Sequence, residues 1–152
     1  MDTHRSNFMM FVIEGEAIPQ GSKTVAHGGG KVWLRDANPK LKQWRENVTA
    51  QVLDQMQANN YEPFQAHAPI RAILLFQLPK PKSVNRAYPT VKPDIDKLTR
   101  AIFDSLEAAN VMPGDQQITS VHASKYYCAE NDTPKVFINL HTHTPIPTKL
   151  NP

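Results

Sequence analysis

Three aspartates in the second half of the chain have the type and spacing that suit chemistry on a phosphate group. Asp94 and Asp96 are separated by one residue, and Asp115 follows a Pro-Gly turn. Carboxylate oxygens are the donors that Mg²⁺ and Mn²⁺ prefer, and the single cysteine cannot build a thiolate metal site. Three carboxylates held close together repel one another unless a cation lies among them. We therefore expect Asp94, Asp96 and Asp115 to bind Mg²⁺ or Mn²⁺.

A helix beginning just after Pro93 surrounds these aspartates with further charges. Its apolar stripe is predicted to contain Ile95, Leu98, Ile102 and Leu106. At about 100° per residue, the other side carries charges of both signs, namely Asp96, Lys97, Arg100 and Asp104. If Asp94 is the N-cap, its extended backbone lets its carboxylate turn toward the same point as that of Asp96. Lys97 and Arg100 are the two basic side chains on this face of the helix.

Each of these acidic residues also fits a structural role, and the sequence leaves that alternative open. Asp94 can be an ordinary helix cap, and Asp115 an ordinary turn residue. Asp96 and Asp104 can be solvated or paired with Arg100. The structural role explains the whole set less well than any single member, because the charges cluster at one end of one element.

A basic, proline-punctuated loop at residues 80–92 leads directly into Asp94. The candidate DNA contacts in this loop are Lys80, Lys82, Arg86, Tyr88 and Lys92. Cations interleaved with an aromatic residue beside a carboxylate cluster suit a passing phosphate backbone, although a merely solvated loop is the alternative. Lys23 is a further candidate, because Lys23 and Lys31 lie on either side of the glycines at 28–30. Those glycines form either a mobile flap or an ordinary turn.

Two histidines near the end of the chain carry less weight. His141 and His143 alternate as neighbours on a strand do, but no third ligand stands at a useful spacing. We therefore expect these histidines to be structural residues and not a metal pair.

The elements that must position these residues follow the order β, α, β, α, β, β. Strands are predicted at residues 8–14, 70–78, 118–127 and 135–141. Residues 18–31 are predicted to form a loop, and residues 32–34 a short strand that pairs back. The first helix is expected to start at Asn38, with Pro39 at its first position, and to run to about Asn59. The second is expected to run from Asp94 to about Ala109. This order predicts an α/β (α+β) fold with a single mixed β-sheet and two main helices packed on it.

The apolar face of the first helix comes from residues at spacings of three and four. They are Leu41, Trp44, Val48, Val52 and Met56.

The composition fits one domain in a reducing compartment. The chain of 152 residues is 40% hydrophobic, enough for a single core over residues 1–144, with a flexible proline-rich tail at 145–152. A formal charge of +3 suits a polyanionic partner without requiring one. The polar N-terminus and its interrupted apolar run favour neither a signal sequence nor a membrane span. Because Cys128 has no partner for an internal disulfide, we expect a cytoplasmic protein.

The stretch from Asp94 to Ile118 resembles the signature of the RusA family of Holliday junction resolvases. The resemblance is carried by Asp94-Ile95-Asp96, Leu98, Phe103-Asp104-Ser105-Leu106, Asp115 and Gln117-Ile118. The opening is similar to the family's N-terminal half in Gly15, Pro19-Gln20-Gly21-Ser22-Lys23 and Trp44-Arg45. The resemblance thus covers about residues 8 to 141. It implies that the family's essential carboxylates are Asp94, Asp96 and Asp115 here, and that its basic catalytic residue is Arg100.

The sequence departs from the family pattern at three positions. The family usually has asparagine at Lys97 and lysine at Arg100, so either side chain is a candidate contact for the scissile phosphate. The family has two acidic residues before the glutamine, whereas this chain has Gly114-Asp115 and lacks the first carboxylate. Asp104 is therefore expected to act as a supporting residue. Gln117, the second supporting residue, is kept.

The resemblance implies a structure-selective, metal-dependent endodeoxyribonuclease that resolves four-way junctions in DNA recombination and repair. Such enzymes are often carried by phages and prophages. Two alternatives remain open, a general or flap-type nuclease and a non-catalytic DNA-binding accessory protein. Lys97 and Gly114 keep the second alternative open.

We expect a homodimer, because a four-way junction has two strands to cut at matching positions and one chain offers one carboxylate cluster. Phe103 falls on the charged side of its helix, which suggests that another segment or a second chain covers that face. Phe103 and the hydrophobic N-terminal strand are therefore candidates for the interface.

Overall fold

The computed structural model describes residues 6–21, 23–36 and 39–143, and for residues 23–27 and 33–36 it describes the backbone alone. Within these ranges the strands are β1 (Phe8–Glu14), β2 (Lys23–Gly28), β3 (Lys31–Asp36), β4 (Ile70–Leu78), β5 (Ile118–Tyr127) and β6 (Lys135–Thr142). The helices are α1 (Lys40–Ala58), α2 (Ile95–Ala108) and a short 3₁₀ turn, Asp115–Gln117.

A four-stranded mixed sheet in the order β1-β6-β4-β5 is the centre of the fold. The pairs β1–β6 and β6–β4 are antiparallel, whereas β4 and β5 are parallel. Parallel neighbours need a crossover connection, and here α2 supplies it. Alternate residues of β4, from Ile70 to Leu78, are buried against the helices. The α+β class, the mixed sheet and the two main helices are therefore confirmed.

The helix and strand bounds agree closely with those expected from the sequence, with four differences, the first being that β3 covers Lys31–Asp36 and not only residues 32–34. Residues 23–28, expected in a loop, form β2, which pairs with β3 in a separate two-stranded hairpin. The alternating residues of this segment allow a strand, but the adjacent glycines favoured a loop. Strand β6 extends one residue further than expected, to Thr142. Pro39 occupies the N-cap of α1 and not its first turn, while Asn38 and the tail at 145–152 lie outside the described residues.

Helix α1 covers the outer edge of β1 through its glutamines. The Gln55 side chain accepts a hydrogen bond from the Val12 amide at 3.0 Å and donates one to the Val12 carbonyl at 2.8 Å. Gln51 makes the same pair of bonds to the backbone of Glu14, both at 2.9 Å. These amides replace the partner strand that an edge strand lacks, so this edge of the sheet is closed.

The apolar stripe of α1 is buried as expected. All five of its members pack in the core, namely Leu41, Trp44, Val48, Val52 and Met56. Trp44 also explains the glycine after β1: Gly15 has a φ of +130°, and an added Cβ would lie 2.9 Å from the Trp44 ring. Only glycine combines that backbone conformation with so close an approach.

The connection between β5 and β6 is closed by local contacts around the predicted turn. Asn131 adopts a positive φ of 69°, and Lys135 Nζ lies 2.7 Å from Asp132 Oδ1. The hydrogen bond from Lys135 lowers the pKa of the Asp132 carboxyl below its ordinary value. The turn therefore contains an acidic residue that is already paired.

Candidate functional site

Asp94 ends the loop and begins α2. It is the N-cap residue with φ −73° and ψ 138°, the extended conformation expected, but its side chain makes no capping hydrogen bond. Its carboxylate Oδ2 instead lies 3.5 Å from Lys97 Nζ, in a pair that is about half exposed. A capping role thus does not account for this carboxylate.

Asp96 and Asp115 line one recess between α2 and β5, which we call the acidic recess. Its lining residues are Ile95, Asp96, Thr99, Arg100, Phe103, Asp115, Val121 and Ala123. Among the described residues, no hydrogen bond or ion pair engages the carboxylate of Asp96 or Asp115. The guanidinium of Arg100 likewise has no carboxylate partner there. Two unpaired carboxylates and one unpaired cation therefore face the same space.

Asp94 lines a second recess on the other side of the first turn of α2. Lys97, Lys92, Pro93 and the segment Pro19, Gln20, Gly21 complete its walls. The backbone amide of Gln20 donates a hydrogen bond to the backbone carbonyl of Lys97 at 3.0 Å, which holds this segment against the helix. Gln20 Oε1 is buried without a partner. The segment Pro19-Gln20-Gly21, which only the family resemblance singled out, thus lies directly beside Asp94.

The structure brings Asp96, Asp115 and Arg100 together, and places Asp94 with Lys97 in the neighbouring recess. Within the described ranges, no three His, Cys, Asp or Glu side chains are arranged to hold a metal ion. The donors nevertheless fit Mg²⁺, since this ion commonly uses only one or two protein carboxylates and completes its shell with water and phosphate. The acidic recess offers two such carboxylates without protein partners.

Gln117 positions the turn that carries Asp115. Its side chain is 7% exposed and donates hydrogen bonds to the carbonyls of Gln65 at 2.8 Å and Ala68 at 3.2 Å. Because Asp115 and Gln117 share one 3₁₀ turn, these bonds fix the turn at the start of β5. The supporting role expected for Gln117 therefore has a structural basis in this segment.

Asp104 belongs to a different part of α2. It lies 3.7 Å from Arg45 of α1, and both line a groove between the two helices. The pairing of Asp104 with Arg100, one of the alternatives left open by the sequence, is absent from the described residues. Asp104 faces α1 because the eight residues from Asp96 turn the helix by two full turns and about 80° more.

Phe103 is half-buried, as its unusual position on the charged side suggested. It packs against the core and lines the acidic recess with Val121 and Ala123 of β5. Another segment of the same chain therefore covers at least part of this side chain, the first of the two alternatives considered.

The basic loop is fixed to the last three residues of β5, which the sequence did not single out. Arg86 Nε donates a hydrogen bond to the Tyr127 hydroxyl at 2.8 Å. Lys80 and Arg86 both lie over the Tyr127 ring, 5.7 and 5.9 Å from its centroid. Tyr88 and Tyr126 form a tilted ring pair 5.9 Å apart, and both are exposed. The loop and the end of β5 together form a surface of cations and tyrosines, which we call the cation–tyrosine surface.

Lys82 and Lys92 are exposed on the same loop, and Lys92 also lines the Asp94 recess. Two neighbouring tyrosines after a lysine were the only sequence signal for the β5 contribution. The pairing of β5 with β4, which brings both tyrosines beside the loop from opposite faces of the strand, is a tertiary feature.

The remaining candidates lie elsewhere. Lys23 begins β2, its side chain lies outside the described residues, and Lys31 begins β3 across the Gly29–Gly30 turn. Gly29 and Gly30, both with positive φ, form the turn between β2 and β3. His143 lies 2.6 Å from the Thr119 hydroxyl, a contact between the ends of two strands.

No helix within the described ranges is both long and apolar enough to cross a membrane.

An acidic recess at the end of a cation–tyrosine surface, on an α+β scaffold, is an arrangement suited to a protein that acts on a polyanion. The family model of the endodeoxyribonuclease RusA matches residues 14–141. The match covers most of the chain and includes every candidate site residue, so the protein belongs to the RusA endodeoxyribonuclease family. The chain is also 26% identical over 132 residues to the uncharacterized protein YqaN of Bacillus subtilis (strain 168), covering 79% of this chain and 88% of YqaN.

Proposed function

We propose that the protein resolves four-way DNA junctions as a Mg²⁺- or Mn²⁺-dependent endonuclease acting as a homodimer. The observation that carries this proposal is the acidic recess, in which Asp96 and Asp115 face Arg100 without protein partners. Membership of an endodeoxyribonuclease family supports DNA cleavage, and the junction as substrate follows from the resemblance to its resolvases.

The residues of the site divide the chemistry between them. Asp96 and Asp115, with Asp94 from the adjacent recess, would hold the metal ion, which would supply Lewis-acid polarisation of a phosphoryl oxygen and a lowered pKa of an attacking water. Arg100 stabilises the charge that builds on the scissile phosphate, since it lines the same recess as the two carboxylates. Lys97 is the second candidate for this role, but its ammonium already lies beside Asp94.

The cation–tyrosine surface is the proposed path of the DNA toward the site. Its cations Lys80 and Arg86 suit phosphates, and the exposed rings of Tyr88 and Tyr126 suit unstacked bases. The loop ends at Asp94, so a strand that follows it arrives at the carboxylates. This continuity supports branched DNA, which offers both a backbone and unstacked bases.

The open face of the sheet supports a homodimer. The helices pack on one face, and alternation places Phe8, Met10 and Ile73 on the other, where each is exposed by more than a third. Asn139 lies between Met10 and Ile73 in the strand register, and its Oδ1 is buried without a partner. A second copy of the chain on this face would bury the apolar side chains and offer a hydrogen-bond donor to Asn139 Oδ1.

Cleavage of a mobile four-way junction, compared with linear duplex and flapped DNA, tests the substrate and the metal together. We expect paired symmetric nicks in the junction with Mg²⁺ or Mn²⁺ and none with EDTA. Equal cleavage of all three substrates would identify a general nuclease, and preference for the flap a flap nuclease. Junction binding without nicking in any divalent ion would identify an accessory protein.

Sedimentation at micromolar concentration tests the dimer, for which we expect about twice the monomer mass. Mixing wild type with excess Asp96→Asn protein should give heterodimers that nick one strand without completing resolution. A strictly monomeric protein that makes paired cuts would contradict the arrangement. Met10→Glu, on the open face, should lower the dimer fraction, whereas Glu46→Lys on α1 should not.

A further inference from the structure

The segment immediately before α2 is linked to β5 by the side chain of one lysine. Lys125 Nζ donates hydrogen bonds to the carbonyls of Val91 at 2.8 Å and Pro93 at 2.9 Å. Asp94 is the next residue, and Asp96 lies in the first turn that follows. Within the described residues, no other side chain donates a hydrogen bond to the backbone of residues 89–94. Lys125 is therefore the polar link between the sheet and the start of α2.

The strand register places Lys125 directly beside the acidic recess. Ala123, which lines that recess, pairs with Leu74 of β4, and Lys125 pairs with Phe76 two residues further on. Leu74 and Phe76 are both buried on the helix-covered face, so Ala123 and Lys125 lie on that same face. Strand β5 forms one wall of the acidic recess. Through Lys125 it also holds residues 91–93, which lead into α2, the opposite wall.

We propose that Lys125 is a positioning residue for the cleavage reaction, an inference that rests on the proposed function. By holding the carbonyls of Val91 and Pro93, its ammonium fixes where α2 begins and hence where Asp94 and Asp96 stand relative to Asp115. Asp115 precedes β5 and Lys125 lies within it, so one strand sets the positions of all three carboxylates. Carboxylates that must meet one cation tolerate little displacement, because misplacing a reacting group by about 1 Å costs on the order of 100-fold in rate.

Lys125→Met and Lys125→Arg test this role. Methionine keeps the unbranched apolar stem of lysine and removes the ammonium donors, whereas arginine can still donate to both carbonyls. The matched control is Lys135→Met, because Lys135 also donates to protein oxygens, Asp132 Oδ1 and the Thr133 carbonyl, at the opposite end of the β5–β6 connection.

Four measurements are made on the full chain: single-turnover cleavage at saturating Mg²⁺, the Mg²⁺ concentration for half-maximal rate, the salt dependence of junction binding in EDTA, and amide hydrogen exchange. For Lys125→Met we expect a cleavage rate lower by about tenfold or more. The Mg²⁺ requirement should rise, and exchange should be faster in residues 91–98. Junction affinity and its salt slope should stay unchanged. Lys125→Arg should recover most of the rate, and Lys135→Met should cleave like wild type.

Three results would overturn the proposal. Wild-type cleavage by Lys125→Met would show that the link has no role in the reaction. A salt slope lower by about 0.9 with unchanged exchange would show that Lys125 binds a phosphate instead. Faster exchange throughout the sheet, and not in residues 91–98, would show a general structural role. If the wild-type protein cleaves no DNA, the proposed function fails, while exchange still reports whether Lys125 holds the segment.

Discussion

The two edges of the central sheet are completed in different ways. At the β1 edge, Gln51 and Gln55 of α1 pair with the backbone of Glu14 and Val12, so that the strand is closed by its own helix. At the β5 edge, no strand or helix in the described ranges pairs with the outer side. The side chains there instead hold a basic loop and line the acidic recess.

The contrast extends to the charges near each edge. Asp104, close to α1, has Arg45 as a partner, and Asp132 in the β5–β6 connection has Lys135. Asp96 and Asp115 at the β5 edge have none among the described residues. Two carboxylates that share a recess without protein partners add no ion pair to the fold, which supports the proposal that they serve binding or catalysis.

The largest effect should come from neutralising the unpaired carboxylates. Asp94→Asn, Asp96→Asn and Asp115→Asn should each lower the cleavage rate by at least about 100-fold, because each removes a proposed metal ligand. Junction binding should be kept or tightened, since repulsion of phosphate falls. Single-turnover cleavage and a gel-shift titration measure the two quantities. Glu107→Gln, at an exposed acidic residue of the same helix, is the control and should cleave normally. Retained nicking by Asp96→Asn would refute the metal assignment.

Removing the loop cations should have an intermediate effect, on binding rather than on chemistry. Replacing Lys80, Lys82 and Arg86 together by Ala should weaken junction binding and lower the slope of log affinity against log salt by about 0.9 for each lost phosphate contact. Fluorescence anisotropy over a range of salt concentrations measures this slope. Lys42→Ala, an exposed cation on α1, should leave it unchanged. If the triple variant also keeps the wild-type slope, the loop does not touch the DNA backbone.

The smallest effect on cleavage should come from a substitution at the β1 edge, which α1 closes. Gln55→Leu leaves the Val12 amide and carbonyl without their partners and should lower the free energy of unfolding by about 1–2 kcal/mol. Urea denaturation measures this loss, with Gln57→Leu on the exposed side of α1 as the control. The cleavage rate of the folded variant should equal that of wild type. A large loss of activity without a loss of stability would mean that the two edges are not functionally separate.

The sequence by itself determined most of the secondary structure and indicated the candidate residues of the site. Strands β1 and β4 lie at the predicted bounds because their short apolar runs end at Gly15 and Pro79, and β5 lies at its predicted bounds between two turn segments. The stripe of α1 and the N-cap at Asp94 follow from local spacing in the same way. The family could also be identified from the aspartates and the residues that follow them, since that motif is contiguous in the chain.

Tertiary structure decided which of those residues share a space. The sequence predicted that Asp94, Asp96 and Asp115 converge, but the folded chain places Asp94 beside Lys97 and leaves Asp96 and Asp115 together. The β2–β3 hairpin, expected as a loop, depends on pairing between strands whose glycines obscure the local pattern. The contacts of Lys125, Tyr126 and Tyr127 with the basic loop span more than 30 residues, as in the bond from Lys125 to Val91. They arise because β5 lies parallel to β4 at the edge of the sheet, a pairing that local periodicity does not encode.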